Sequence, residues 1–485
     1  MDSHITMHNM RDKCIRLVGA FLIGYVFVVH MVIDASGEWN GLFHVIYTAC
    51  VFSEFLVIFL CIFTLRADRW SAKMVTAYLV WLVLSRPLCG DTKLTVSIEL
   101  ITIVAFCTSI MCYALSLDAV YRRRLVAVFS VIICVFYLVI AVSIIYVAVT
   151  RTVVRLPFDI TVGIKSEGEM RYVTAFGRQR SIAAQWSCLS FCLTAYLIYI
   201  CRSKIARIFL GISEVVFFVA VSLSLSRTAM ASLAAAVAML TALLAQKVLT
   251  NKKDTVRVLA ALLAAIAVLP AAYKLQSAAG SAVEHLSQQY ISFFDDEETS
   301  NAGTAMDAHT GKVTELAEEG VLYTETRNSD NTKMLGGRVK LWKCILSVLR
   351  FEPERFLHGG SVDDYMTLVC IFGKEVVINT HNFLLEPLLL TGIPGFLAVF
   401  TFTAILVVRM IKVFFSKEAN GRAKLLTVLL GSLLIRNMGE AQIFRVDDIT
   451  NYVFCLAAGA FLAYSYELFP EKAILRKIPE KENGI

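Results

Sequence analysis

A histidine and an asparagine, His381-Asn382, stand where a long polar stretch of the chain gives way to an apolar one. Thr380 or Asn382 is suited to cap a helix that begins there. The N-terminus of a helix disfavours imidazolium, so we expect His381 to be neutral near pH 7 and able to accept a proton. The residue is therefore a candidate general base.

The same apolar stretch contains helix-interrupting residues. Pro387 comes first, and Gly392-Ile393-Pro394-Gly395 follows. Irregular backbone at membrane depth is tolerated only where it is buried in protein or lines a cavity. We therefore predict that a broken helix follows His381 and that the break is enclosed by other parts of the chain.

Arg338 follows Gly336-Gly337 at the start of a predicted amphipathic helix, which spans about residues 337–350 and ends before Pro353. A cation in the first turn opposes the helix dipole, so local stability does not explain it. Free N–H groups at helix N-termini and in glycine-rich turns do suit anions. Gly337 and Arg338 are thus a candidate diphosphate cradle. In the alternative interpretation, the arginine reaches out to water or lipid headgroups.

Further external arginines are candidates for the same anion. Arg227 follows Ser224-Leu225-Ser226 in a very short connection between two apolar stretches. It either binds a substrate phosphate or anchors the chain at the headgroups. Arg171, Arg178 and Arg180 form a second cluster, and the sequence does not choose among them.

These residues must be positioned by a membrane-embedded scaffold. The 485-residue chain is 57% hydrophobic and 18% charged, with a mean hydropathy of +0.67. Soluble domains are nearer 45–50% apolar. Most apolar stretches have helical length, and open sheet edges do not occur in lipid. The fold class is therefore an all-α polytopic membrane protein. The distribution of its formal charge of +7 is explained better by membrane topology than by binding to nucleic acid.

Hydropathy predicts about twelve spans of roughly 20 residues each. The first has the composition of a retained span, not of a cleaved signal. The predicted windows are residues 15–33, 42–65, 73–88, 94–117, 125–149, 182–201, 205–225, 228–247, 254–272, 388–411, 425–440 and 450–468.

Positive charge sets the orientation. More than half of the 46 lysines and arginines fall in connections on one side, which is therefore cytoplasmic and holds both termini. The predicted organisation is a nine-span bundle at 1–272 with an external loop near 150–181, a large external loop with the amphipathic helix at 273–380, three last spans at 381–469, and a cytoplasmic tail at 470–485.

Other polar residues keep open interpretations. Glu54, Glu99 and Glu214 lie within spans, where they could relay protons or pair with an interior arginine or hydroxyl. Asp447 and Asp448 are equally suited to bind sugar hydroxyls or to lie in a solvated loop. We found no metal-ligand spacing, and Cys344 and Cys370 could pair in an oxidising compartment. His30, His44, His285 and His358 are interpreted as structural.

The motifs together resemble those of the bacterial O-antigen ligase and polymerase superfamily. His381-Asn382, nine residues and Gly392-x-x-Gly395 are similar to its His-Asn-x9-Gly-x-x-Gly signature. The segment from Gly337-Arg338 to Trp342 is similar to its Gly-Arg-hydrophobic-x-x-Trp segment, and Ser226-Arg227 to its Ser-Arg turn. Ala231 stands where the family often has leucine, and Gly359-Gly360 replaces its usual Gly-x-Gly.

The resemblance implies a GT-C-like fold in a bacterial inner membrane and metal-independent glycan transfer on the external leaflet. The donor would be a polyprenyl-diphosphate-linked glycan, and the acceptor a glycan or lipid-glycan hydroxyl. By this likeness His381 is the general base or orients the acceptor, and Arg338 and Arg227 hold the diphosphate, with Arg171 or Arg178 as further contacts. Protein O-oligosaccharyltransferases share the signature, and a lipid-linked oligosaccharide transporter is the alternative of a different class.

Overall fold

The structure is a computed structural model. It describes residues 2–35, 41–64, 69–89, 94–150, 152–157, 160–167, 170–175, 180–287, 342, 346, 355–360, 380, 382–439, 443–444 and 448–470. Helices dominate these ranges, and their packing buries a continuous apolar core.

Every predicted span falls on a helix. The helices are α1 Asp2–Ala35, α2 Gly41–Thr64, α3 Trp70–Ser85, α4 Leu94–Ser116, α5 Ala119–Thr150, α6 Arg180–Ile200, α7 Lys204–Leu223, α8 Arg227–Val248, α9 Asp254–Ser287, the single turn α10 Arg355–His358, α11 Leu385–Phe415, α12 Gly421–Asn437 and α13 Ile449–Leu468. A short 3₁₀ turn, Arg86–Leu88, extends α3.

Eight of the helices in the described ranges are long and apolar enough to cross a membrane by length and composition. The chain is thus a mostly helical, multi-pass membrane protein, whereas twelve spans and the GT-C-like arrangement remain predictions. The outer helices expose apolar side chains, as α7 does at Ile205, Ile208, Phe209 and Ile212. Their helical spacing gives α7 a lipid-compatible face.

α13 lies at the centre of the bundle. Its whole apolar window is buried, and it packs against α4, α12 and α11. Tyr452 and Phe461 are fully enclosed. A central helix with no lipid-facing side is a rigid support, and its first turn lies at the end of the bundle that charge predicts to be external.

The predicted external loop near 150–181 contains a small antiparallel sheet. Its strands are β1 Val154–Leu156, β2 Ile160–Glu167 and β3 Met170–Ala175, in the order β1-β2-β3. Val154 pairs with Val162, and Ile164 with Val173. Ile160 and Val162 are buried, so alternate residues of β2 attach the sheet to the helices.

Three arginines at the opposite, predicted cytoplasmic end bind backbone carbonyls at helix ends. Arg122 donates to Leu117 O at 2.9 Å, Arg257 to Phe415 O at 2.8 Å and Arg409 to Phe469 O at 3.3 Å. Cations at these positions complement the helix dipoles. Charges that the sequence analysis treated as markers of topology therefore also fasten α4, α11 and α13.

Candidate functional site

A buried carboxylate holds Thr380, which directly precedes His381, and Thr380 in turn binds Asn382 on the other side. Thr380 donates from its backbone N and its Oγ1 to Glu386 Oε2, at 2.9 and 2.8 Å. The backbone N of Asn382 donates to Thr380 Oγ1 at 3.2 Å. These three residues are buried, and Glu386 lies in the first turn of α11, where negative charge is stabilised. His381 itself lies outside the described residues.

Asn382 acts as the cap for the turn that leads into α11. Its Oδ1 accepts the N–H groups of Leu384 and Leu385 at 2.9 and 3.3 Å. Of the two predicted caps, Asn382 therefore has this role, whereas Thr380 binds Glu386. Pro387 falls in the first helical turn, where its missing N–H costs little. The prediction that Pro387 interrupts the helix was thus wrong, because the helix begins only two residues before it.

Two other parts of the chain bind this segment. Phe383 N donates to Asn437 O at the end of α12, at 3.1 Å. Trp342 Nε1 donates to Thr380 O at 3.0 Å. Trp342 and Leu346 are the described residues of the predicted amphipathic helix; both are helical, Trp342 half-buried and Leu346 exposed. The bond from Trp342 joins the Gly337–Trp342 motif segment to the segment that contains His381.

The predicted break in the helix occurs at Gly392, which has φ 67° and ψ −165°. This backbone region is open essentially to glycine alone. A Cβ at this position would lie 2.6 Å from Phe356 O in α10. At Gly395, one turn later, a Cβ would overlap Thr391 Oγ1, which donates to Pro387 O at 2.6 Å. Gly392 thus permits close backbone packing at the kink, and Gly395 leaves room for the side chain of Thr391.

Three successive carbonyls before the kink are satisfied from outside the helix. Leu389 O accepts Gly360 N at 2.8 Å, and Thr391 O accepts Trp81 Nε1 at 2.7 Å. Leu390 O accepts Arg86 Nη2. Freed backbone groups at membrane depth need such partners. The predicted enclosure of the break is confirmed, and α3, α10 and the turn after α10 provide it.

Arg86 is a site residue that none of the sequence motifs indicated. Its side chain is buried, and its Nη1 donates to Gly360 O at 3.4 Å. Its guanidinium also contacts Cys89 Sγ at 3.3 Å. The sequence shows only that Arg86 stands between an apolar stretch and Pro87. This position does not indicate that the guanidinium binds the carbonyl of Leu390.

Arg227 is the first residue of α8 and is half-buried. Leu225 in the preceding turn has φ 54°, which confirms a tight connection. α8 meets α12 where Ser232 Oγ lies 2.8 Å from Ser432 Oγ. α8 and α12 are antiparallel. Arg227, which precedes Ser232, and Arg436, which follows Ser432, therefore both lie about 6–8 Å from this contact along the helix axes and on the same side of it. They lie at a similar depth at the predicted external end.

A buried polar network lies at that end, on α6, α12 and α13. Arg436 donates through Nη2 to Gln185 Oε1. Gln185 Nε2 donates to Asp448 Oδ2 at 2.7 Å, and Asp448 Oδ1 accepts Thr450 N at 3.0 Å. The solvated-loop interpretation is therefore wrong for Asp448, which is buried and caps α13. None of the sequence motifs indicated Arg436 either.

The remaining predicted site residues have the following positions. Arg338, Gly337 and Arg178 lie outside the described residues, as do Cys344, Cys370 and Asp447. Arg171 on β3 pairs with Ser166 on β2, and only the backbone of Arg171 is described. Of the three acids predicted within spans, Glu54 bonds to His30, not to an arginine or a hydroxyl.

The fold and the site together define a class: a polytopic helical membrane protein with a broken helix and a buried polar end. Residues 212–400 match the family model described as O-antigen ligase. This segment therefore belongs to the O-antigen ligase-related superfamily, as the motifs predicted. No curated protein matches the chain. The family supports ligase- or polymerase-type surface polysaccharide biosynthesis, a glycosyltransferase-like activity in general and lipid-linked glycan substrates.

Proposed function

We propose that the protein transfers a glycan from a polyprenyl diphosphate carrier, undecaprenyl diphosphate in bacteria, to an acceptor hydroxyl at the external leaflet of the inner membrane. The hydrogen bond from Trp342 to Thr380 O, at 3.0 Å, carries this proposal. Trp342 follows Arg338 by four positions, and Thr380 directly precedes His381. The bond supports a single site that combines a guanidinium for the diphosphate with an imidazole for the acceptor.

The chemistry asks little of the protein beyond placement and charge. The acceptor oxygen attacks the anomeric carbon, the bond from that carbon to the diphosphate oxygen breaks, and the acceptor proton passes to the imidazole of His381. The diphosphate leaves with the carbon–oxygen electron pair, and guanidinium groups stabilise the developing negative charge. One displacement of this kind inverts the anomeric carbon.

The backbone around His381 suits a base that must keep one position. Its neighbours Thr380 and Asn382 are fixed by Glu386 and by the turn into α11. Rigid support of this kind shortens the search for the reactive geometry. In this proposal Arg338 and Arg227 bind the diphosphate, and Arg171 or Arg178 adds a further contact.

The acceptor distinguishes the members of this reaction class. A ligase transfers to a lipid-linked core glycan, a polymerase transfers to a second carrier-linked unit, and a protein O-oligosaccharyltransferase transfers to a protein hydroxyl. A transporter of lipid-linked oligosaccharides is a second candidate function. The candidate site residues that the structure describes, among them Arg227, Asn382 and Asp448, lie toward the predicted external end of the bundle and not on paired broken helices at the midplane, and this arrangement favours the transferase.

The test is reconstitution of the purified protein in liposomes with a defined carrier-linked glycan. Three reactions receive the donor alone, the donor with a lipid-core acceptor, or the donor with a protein acceptor. Chain growth from donor alone identifies a polymerase, whereas a product that forms only with one acceptor identifies that acceptor. Donor crossing the bilayer without any glycosidic product would contradict the transferase and support transport.

Arg227→Gln tests the diphosphate contact in the same liposomes. The expected result is a raised KM for the donor, because a charge-assisted bond to phosphate is lost. Ser203→Ala, which changes the N-cap of α7 at the opposite end of the bundle, is the control. Donor kinetics equal to wild type would remove Arg227 from the site.

A further inference from the structure

Three side chains with metal-ligand atoms converge inside the bundle, and none of them belongs to the candidate site for glycan transfer. His30 comes from α1, and Cys50 and Glu54 come from α2. Their relative exposures are 2%, 0% and 3%. His30 Nε2 lies 3.1 Å from Glu54 Oε1.

The distances suit a shared ion. One nitrogen, one sulfur and one oxygen all lie within 4.8 Å of one another, so a central point is about 2.8 Å or less from each. Zinc bonds to these donors are about 2.0–2.3 Å long. Small side-chain rotations therefore bring all three atoms to bonding distance, and the helix backbones need not separate or unwind.

The sequence of α2 explains why its two donors face α1 together. Cys50 and Glu54 are one helical turn apart, so they lie on the same face. Glu54 is a carboxylate in the membrane interior, where charge is costly unless it is paired or bound to a metal. The imidazole of His30 alone would pair with it. The sulfur of Cys50 lies within 4.8 Å of both partners and completes a three-donor set.

We propose that His30, Cys50 and Glu54 bind one divalent transition-metal ion of the Zn²⁺ type. Nitrogen, thiolate and carboxylate donors are those that Zn²⁺ accepts in proteins, with a fourth position left for water or another ligand. Binding converts the Cys50 thiol to a thiolate, and the released proton goes to solvent.

The surroundings indicate a stabilising ion and not a participant in glycan transfer. The Tyr452 ring on α13 meets the His30 ring edge-on, with centroids 5.2 Å apart, and the Tyr47 ring lies at 6.5 Å. These rings pack around His30, and the three donor side chains are at most 3% exposed. The ion would fasten the α1–α2 pair beside α13, whose first turn carries Asp448 and Thr450.

The proposal is tested without any glycan substrate. The protein is purified in detergent without chelator, and its metal content is measured by mass spectrometry. It is then stripped and titrated with ZnCl₂ or with CoCl₂, whose thiolate charge-transfer absorption reports a bond to cysteine. About one ion per chain, a thermal midpoint that rises with added Zn²⁺ and a thiolate–cobalt band are expected.

Cys50→Ser and Cys61→Ser form a matched pair of variants. Both cysteines are buried on α2, and Cys61 is about 16 Å further along the helix. Cys50→Ser should abolish the cobalt band and weaken Zn²⁺ binding by at least about 100-fold, whereas Cys61→Ser should behave as wild type.

Two results would overturn the proposal. One is wild-type protein that binds neither Zn²⁺ nor Co²⁺ and has an unchanged thermal midpoint. The other is a cobalt band that persists in Cys50→Ser. Because the first is measured on wild type, poor folding of a variant leaves the test intact.

Discussion

Replacing Gly392 with alanine addresses the kink that separates the first turns of α11 from the rest of the helix. The added Cβ meets two obstacles. The backbone at φ 67° and ψ −165° is unfavourable for any side chain, and the new carbon would lie 2.6 Å from Phe356 O and 2.7 Å from Leu357 O. Both neighbours are backbone atoms of α10, so no flexible side chain can move aside.

The expected cost combines these two effects. The backbone conformation alone costs about 1–3 kcal/mol for a residue other than glycine. Overpacking against fixed atoms adds about 1–3 kcal/mol. Gly392→Ala should therefore lower the free energy of unfolding by about 3 kcal/mol or more. It should also displace Glu386 in the first turn of α11 and the capping residue Asn382, so glycan transfer should fall.

Gly211→Ala is the matched control. Gly211 is an ordinary helical glycine in α7, and a Cβ there would meet nothing within 4 Å. Alanine is favoured over glycine in a helix by about 1 kcal/mol, so this variant should be equal to wild type or slightly more stable. Thermal unfolding in detergent and transfer in liposomes measure both variants. A Gly392→Ala protein with wild-type stability and transfer would refute the packing of the kink described here.

Three further changes have defined outcomes. Glu386→Ala leaves the buried N–H of Thr380 without its acceptor and should cost about 2 kcal/mol of stability and most of the transfer activity; Glu386→Gln, which keeps an oxygen, should lose less, and equal losses would argue against the hydrogen bonds. Arg86→Lys should destabilise by about 2 kcal/mol because one ammonium cannot replace a fork that binds two carbonyls, and unchanged thermal unfolding would count against that role. Asp118 Oδ1 accepts the N–H groups of Val120 and Tyr121 at the start of α5, and Asp118→Ala should cost about 1 kcal/mol.

The last of these effects should depend on pH. The N–H of Tyr121, and then that of Val120 and the Arg16 guanidinium, lower the pKa of Asp118 below its ordinary 3.8. A lowered pKa in the folded state means that the contribution is complete above the ordinary carboxyl pKa and is lost as the pH falls through the lower value. The difference in unfolding free energy between wild type and Asp118→Ala should be constant between about pH 5 and 8 and should shrink below about pH 4. A constant difference at all pH values would contradict this assignment.

Local sequence was sufficient to predict the helices. Apolar stretches of membrane-spanning length depend on neighbouring residues alone, so each predicted window coincides with a helix. The ends were less accurate, since α9 continues to Ser287, beyond its predicted end at 272. The sheet near 150–181 was missed although Ile160, Val162 and Ile164 alternate with polar or small residues along β2. Short strands in a loop give a weak signal.

Around the candidate site, local structure could be predicted only where the interacting residues are close in sequence. Asn382, Gly392 and Gly395 act through their own helix or through a backbone conformation, and their roles could be read from spacing. Arg86 acts on Leu390, and Gln185 acts on Arg436 and Asp448. These partners are hundreds of positions apart, so periodicity carries no information about them.

In the proposed reaction, His381 takes the proton from the acceptor hydroxyl. The most direct test is the initial rate of glycan transfer in liposomes by wild type and His381→Ala, with membrane insertion and carrier binding measured on the same samples. Loss of a general base costs about 10²–10⁴-fold in rate, so the variant should insert and bind the carrier normally while forming at least about 100-fold less product. Product formation at the wild-type rate would contradict the account.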